Sequence, residues 1–114
     1  RDHKKLRAFE LADEVVVLIY QTTKAFPKSE MYGLTSQMRR AAVSVPSNIV
    51  EGCARESRSE YVRFCEMAFG SLRELHYQFD LAKRLGFTNY TNISKKIVEA
   101  EKVLAALIRS LRNP

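Results

Sequence analysis

Tyr61, Cys65, Ala68, Leu72, Leu75, Phe79 and Ala82 recur at steps of four, three, four, three, four and three. Apolar residues at that spacing share one face of an α-helix, whereas a half-buried strand alternates every second residue. The row predicts one long helix over 58–85 whose seam needs an apolar partner along its whole length. Ser57 and Glu60 have the Ser-x-x-Glu spacing of a capping box at its start, and Leu85-Gly86 supplies a glycine for a left-handed stop. The reverse face, with Arg63, Met67, Gly70, Glu74, Tyr77 and Leu81, is too apolar for a plain solvated side and predicts a second contact surface. Gly70 costs roughly 1 kcal/mol relative to Ala in a helix interior, which predicts a close backbone neighbour there.

Three further segments carry the same period. Over 34–52, Met38, Ala42, Val45, Ile49 and Gly52 form the seam, and Arg40, Ser44, Asn48 and Glu51 form a polar stripe beside it. Pro46 lies inside this pattern, where it removes a hydrogen bond and crowds the Ala42 carbonyl, so a kink or break is expected. Over 6–25, Phe9, Ala12, Val16, Ile19 and Thr23 make one row and Leu11, Val15 and Leu18 a second, leaving Arg7, Glu10, Glu14 and Gln21 for water. Phe26-Pro27 ends that segment, because a residue preceding proline avoids the α region. Over 92–112, Ile93, Ile97, Ala100, Leu104, Leu107 and Leu111 give a clean seam, with Thr91 or Asn92 as its cap. Short turns at 27–33, 53–57 and 86–91 imply antiparallel neighbours. The chain is therefore expected to be all-α, one antiparallel up-and-down four-helix bundle over 1–114 with no internal repeat or linker.

With 114 residues, 46% of them hydrophobic, the chain can bury a modest core without metal or disulfide. Nineteen Lys and Arg against 13 Asp and Glu leave +6, which permits a polyanionic partner without requiring one. Cys53 and Cys65 have no second cysteine pair, and His3 and His76 are remote, so no zinc spacing exists and no cofactor is expected. Reduced thiols, no apolar stretch of membrane-spanning length and no leader pattern point to a cytoplasmic protein with no membrane role.

An enzyme has little to build on here. A nucleophile needs a base within hydrogen-bond reach, and Cys65 lies on a core seam while His76 sits at its edge. Glu66 and Glu74 are two turns apart, and neither a phosphate loop nor the Glu-x-x-His ligand set of di-iron bundles occurs. The basic residues carry more: Arg39 and Arg40, then Arg55, Arg58 and Arg63, with only Glu51 and Glu56 between 39 and 58. Arg39, Arg55, Arg58 and Arg63 are candidates for contacts with nucleic-acid phosphates, against the plainer reading of a solubilising face. A looser second cluster is Arg1, His3, Lys4, Lys5 and Arg7. No base-reading motif occurs, so any RNA or DNA binding would rest on charge and shape. The surplus apolar faces at 6–25 and 58–85 predict a homo-oligomer, in which Arg40, Ser44, Asn48, Glu51 and Glu74 form a structural polar stripe or interface, with Glu74 as a partner for Arg40 either within or between subunits.

The run from Tyr32 to Gly52, with Gly33-Leu34-Thr35-Ser36-Gln37-Met38-Arg39-Arg40-Ala41-Ala42 and Ser47-Asn48-Ile49-Val50-Glu51-Gly52, resembles the signature of the bacterial four-helix bundle protein family. The run from Phe64 to Leu75 resembles that family's second signature, with Gly70, Ser71, Glu74 and Leu75 in matching positions. Val50 stands where Ala is common and Cys65 where an aliphatic residue is usual. The resemblance spans nearly the whole chain and implies the bundle fold. Many members of that family are encoded in intervening sequences of large-subunit ribosomal RNA genes, and a relative accompanies the reverse transcriptase of diversity-generating retroelements. It thus implies a pentameric ring and RNA or a nucleic-acid-processing protein as partner; the alternative is a purely structural homo-oligomer.

Overall fold

The structure, a computed structural model, describes residues 1–113. Four helices make the bundle: α1 (Arg7–Thr23), α2 (Leu34–Cys53), α3 (Arg58–Arg84) and α4 (Thr91–Arg112), with single 3-10 turns at His3–Lys5 and Lys28–Glu30. There is no strand among the described residues. Each helix packs on two others, α1 and α3 both lying between α2 and α4. Contacts at opposite ends fix the directions. Arg7 meets Glu99 while Thr22 meets Thr88, and Arg58 meets Leu111 while Lys83 meets Ser94. The bundle is antiparallel throughout, as four apolar segments joined by short turns require.

The seam of α3 is buried at all seven positions, and that of α2 at all five. The seam of α4 follows expectation as far as Leu104, then passes to Ile108, leaving Leu107 and Leu111 half-buried. A straight helix of 3.6 residues per turn drifts by about 20° per heptad from a strict four-three row, which accounts for the change. In α1 the buried face is Ala8, Leu11, Ala12, Val15, Ile19, Thr22 and Thr23, so it lies between the two expected rows. Phe9, Val16 and Leu18 flank it, half-buried. Arg7, Glu10 and Glu14 are not left to water alone. Arg7 bridges Glu10 at 2.7 Å and Glu99 at 2.8 Å, and Lys96 meets Glu14 at 2.6 Å, stitching α1 to α4.

The ends differ from expectation in instructive ways. Helix α1 stops at Thr23, because Ala25 and Phe26 donate to Thr22 and Thr23 in tighter three-residue turns ahead of Pro27. Helix α2 begins with the Glu30 carboxylate accepting from the Leu34 amide at 3.0 Å. A Cβ on Gly33 would sit 2.8 Å from that same oxygen, so the glycine makes room for the cap. Pro46 does not break α2, which is helical from Leu34 to Cys53. Buried seam residues on both sides of the proline hold the segment in place, since tertiary packing supplies most helix stability. In α3, Ser57 accepts from the Glu60 amide at 3.1 Å as its spacing predicts, and Gly86 adopts φ 78°. Neither Thr91 nor Asn92 caps α4; it starts from Tyr90 with no side-chain cap.

Gly70 has no neighbour within 4 Å of where a Cβ would stand. The expected close backbone contact is absent within the protomer. Gly70→Ala is therefore expected to raise the stability of the isolated chain by up to about 1 kcal/mol, read by denaturant unfolding. A loss of stability would mean that another surface packs on Gly70 in solution.

Candidate functional site: a basic corner and a polar cleft

At the corner where α2 hands over to α3, Gly52 lets the helices approach closely: a Cβ there would lie 2.8 Å from the Phe64 Cβ and 3.2 Å from the Tyr61 ring. Phe64 and Tyr61 are consequently buried, and arginines cover their faces. The Arg55 guanidinium carbon lies 4.8 Å and that of Arg63 5.2 Å from the centre of the Phe64 ring, and Arg1 lies 4.2 Å above Tyr61. Arg1 also donates to the Arg55 carbonyl at 2.9 Å, and Arg55 pairs with Glu51 at 3.2 Å. Such cation–π contacts contribute about 0.5 to 1 kcal/mol each at exposed sites, and they fix where flexible side chains point.

Of the four arginines singled out in the sequence, Arg55 and Arg63 meet here. Arg58 belongs to the same end of the bundle but donates to the Leu111 carbonyl at 3.2 Å. Arg39 does not join them. It donates to the Thr23 hydroxyl at 2.9 Å and lies 4.8 Å over Tyr20, about 21 Å at 1.5 Å per residue from the end of α2 at Cys53, beyond which Arg55 lies. From the looser N-terminal cluster, Arg1 reaches the corner, whereas Arg7 is engaged by Glu10 and Glu99. Tyr61 heads the seam of α3 and Phe64 lies beside it, so along the sequence both signal core and not a site. Only their i, i+3 spacing beside a run of arginines hinted at more.

The polar stripe forms a separate feature. Gln37, Arg40, Ala41 and Ser44 of α2 and Ser71 and Glu74 of α3 line an open cleft of about 350 Å³. Two of its lining hydroxyls belong to a hydrogen-bonded chain: the Asn48 amide donates to the Ser44 carbonyl at 2.8 Å and hydroxyl at 3.0 Å, and Ser44 and Ser71 share a bond of 2.9 Å. Arg40 and Glu74 face the same cleft without forming an ion pair among the described residues, so the expected pairing within one chain is not made. Glu51 has turned from the stripe to Arg55.

Between α3 and α4 lies a polar cluster that the sequence did not reveal. Glu101, its side chain 9% exposed, accepts from His76 Nδ1 at 2.9 Å and from Arg73 at 3.1 Å, and Asp80 lies 3.7 Å from the other ring nitrogen. The imidazole thus bonds one carboxylate at the core edge and has a second nearby, with no hydroxyl or thiol bonded to it. Cys53 and Cys65 are both buried free thiols. Burial, with Cys53 nearby, pushes the Cys65 thiol up to about 11. Its thiolate fraction at pH 8 is then roughly one in a thousand, so thiol-disulfide reagents should not label Cys65 in the native protein but should label it once denaturant is added. Rapid native labelling, followed by mass spectrometry, would contradict this burial. No group of three His, Cys, Asp or Glu side chains among the described residues is placed to hold a metal ion.

Fold and corner together can be set against known proteins. The sequence matches the family described as 23S rRNA-intervening sequence protein over residues 4–109. The chain belongs to that family. Both signature runs, and with them the corner glycine and the residues lining the cleft, fall inside the matched residues. None of the curated proteins compared with the chain matches it. A crystal structure of a protein of unknown function from the S23 ribosomal protein family of Bacteroides thetaiotaomicron is similar to this chain, with a TM-score of 0.81 at 21% identity. The likeness covers 90% of this chain and 95% of that one and establishes the shared bundle fold. No described helix is long and apolar enough to cross a membrane.

Proposed function

We propose that this member of the intervening sequence protein family is a non-enzymatic binding and assembly module whose basic corner contacts the phosphates of RNA. One observation carries the reading: Arg1, Arg55 and Arg63 are gathered at one end of the bundle and held on buried aromatic faces. Guanidinium groups fixed in this way lose little freedom on meeting a phosphate, and the planar fork suits bidentate contact. The family's association with ribosomal RNA genes agrees with a polyanionic partner.

Binding to a structured RNA should weaken linearly in log-log coordinates as salt rises, and Arg55→Ala with Arg63→Ala should reduce the slope by roughly two. Arg39→Ala and Arg58→Ala should change it less, since Arg39 stands apart and Arg58 is engaged with Leu111. Absence of binding at low salt would favour the alternative of a structural homo-oligomer with a solubilising surface.

Assembly is the second part of the proposal. Val17 is 51% exposed, Met67 45% and Tyr77 60%, and Val43 and Val50 are open on α2. Apolar groups at this density on several faces of a small bundle fit burial between copies in a ring, and the family resemblance supplies five as the number. Light scattering at micromolar concentration should exceed the 13.1 kDa of one chain. A stable monomer would reject the ring.

A further inference from the structure

Phe64 is placed to do more than fill the core. Its ring is shared by two guanidinium groups, Arg55 at 4.8 Å and Arg63 at 5.2 Å from its centre, so the two cations lie no farther apart than those distances together allow. Two like charges would ordinarily spread into solvent, since both side chains are long and exposed. Here the negative π face of one ring draws both inward, and the ring itself is pinned because Gly52 packs against its Cβ. Glu51 engages Arg55 through a single nitrogen at 3.2 Å, which leaves most of the five guanidinium donors free. Of the other carboxylates nearest in sequence, Glu56 and Glu60 are exposed and form no ion pair with either arginine among the described residues, and Glu66 is engaged by Arg112.

We infer that Arg55, Arg63 and the Phe64 ring form one seat for two neighbouring phosphates, with Phe64 as its positioning residue. The ligand class is a vicinal pair of phosphate groups, either successive phosphodiesters of one strand or a terminal or free polyphosphate. This rests on the reading of the corner as a phosphate contact, and deepens it by assigning geometry to the ring rather than charge alone. A single orthophosphate can satisfy one fork; two linked phosphates can satisfy both.

The arginine Nε–Hε resonances provide the test. In the wild-type protein both Arg55 and Arg63 signals should show an upfield ring-current shift, and tripolyphosphate should move them together with an affinity at least tenfold above that for orthophosphate. Phe64→Leu keeps every charge and an apolar side chain, yet should lose the ring-current shift and reduce that preference at least threefold. Phe64→Tyr should restore both. A ring that only supports the core would lower the melting temperature on Phe64→Leu while leaving the preference intact, which would overturn the inference. A 5′-hydroxyl RNA and the same RNA with a 5′-triphosphate separate the two sources of the ligand. If tripolyphosphate binds with Phe64 dependence but 5′-hydroxyl RNA does not, the seat stands and the strand-binding reading falls. If RNA binds equally to wild type and Phe64→Leu, the seat falls and the strand-binding reading stands.

Discussion

Replacing Phe79 by alanine is expected to destabilise the bundle by about 3 to 5 kcal/mol, the range for truncating a fully buried aromatic. Phe79 is 1% exposed and is the largest side chain among the fully buried residues. It lies on the seam of α3, the helix that packs on both α2 and α4, so a cavity there borders more than one helix pair. Backbones of four helices cannot close together around the lost volume without moving the other six seam positions, and the cost should fall toward the upper part of that range. For a chain of this length the total stability is about 5 to 15 kcal/mol, and the variant would be close to unfolded at physiological temperature. Urea unfolding with an unchanged m value would check it; a loss under about 1.5 kcal/mol would mean that the core is looser than the packing described here.

His76→Ala should cost about 2 to 3 kcal/mol, because it strands the buried Glu101 carboxylate. The full penalty for breaking a buried pair is larger, about 3 to 5 kcal/mol, but Arg73 still reaches Glu101 at 3.1 Å from a position 60% exposed and offsets part of it. Replacing His76 and Glu101 together by leucine removes the unpaired charge along with its partner and should return stability to within about 1 kcal/mol of wild type. The combination of a costly single change and a nearly neutral double change identifies the pair as a matter of polar satisfaction. Arg73→Ala, at the exposed edge, should cost at most about 1 kcal/mol. Equal losses from His76→Ala and Arg73→Ala would contradict this ordering.

How far the sequence could be read follows from which forces act along the chain and which act across it. The seams of α2 and α3 are legible because burial repeats at helical spacing, and Met38 to Gly52 and Tyr61 to Ala82 obey it without exception. Glu101 was invisible for the converse reason. A charged residue beside a seam reads as solvated, and only the third dimension brings His76 and Arg73 to it from another helix. The same holds at Gly33, where the cap arrives from Glu30 in a preceding turn instead of from the usual Ser, Thr, Asp or Asn. Pro46 shows local preference yielding to tertiary packing on both sides of it. At the corner, Arg55 and Arg63 were found by their charge, but Arg58 and Arg39 were indistinguishable from them until the Leu111 carbonyl and the Thr23 hydroxyl claimed each. The pinning of Phe64 by Gly52 depends on a helix crossing, which no spacing along one segment records.

RNA is proposed to meet the corner of Arg1, Arg55 and Arg63, and not basic surface in general. Mapping amide and arginine side-chain shifts on adding a structured RNA at low salt tests it most directly. Perturbations should centre on Gly52 to Phe64, with the Arg39 end of α2 unchanged. Perturbations centred on Arg39, or none at all at low salt, would contradict it.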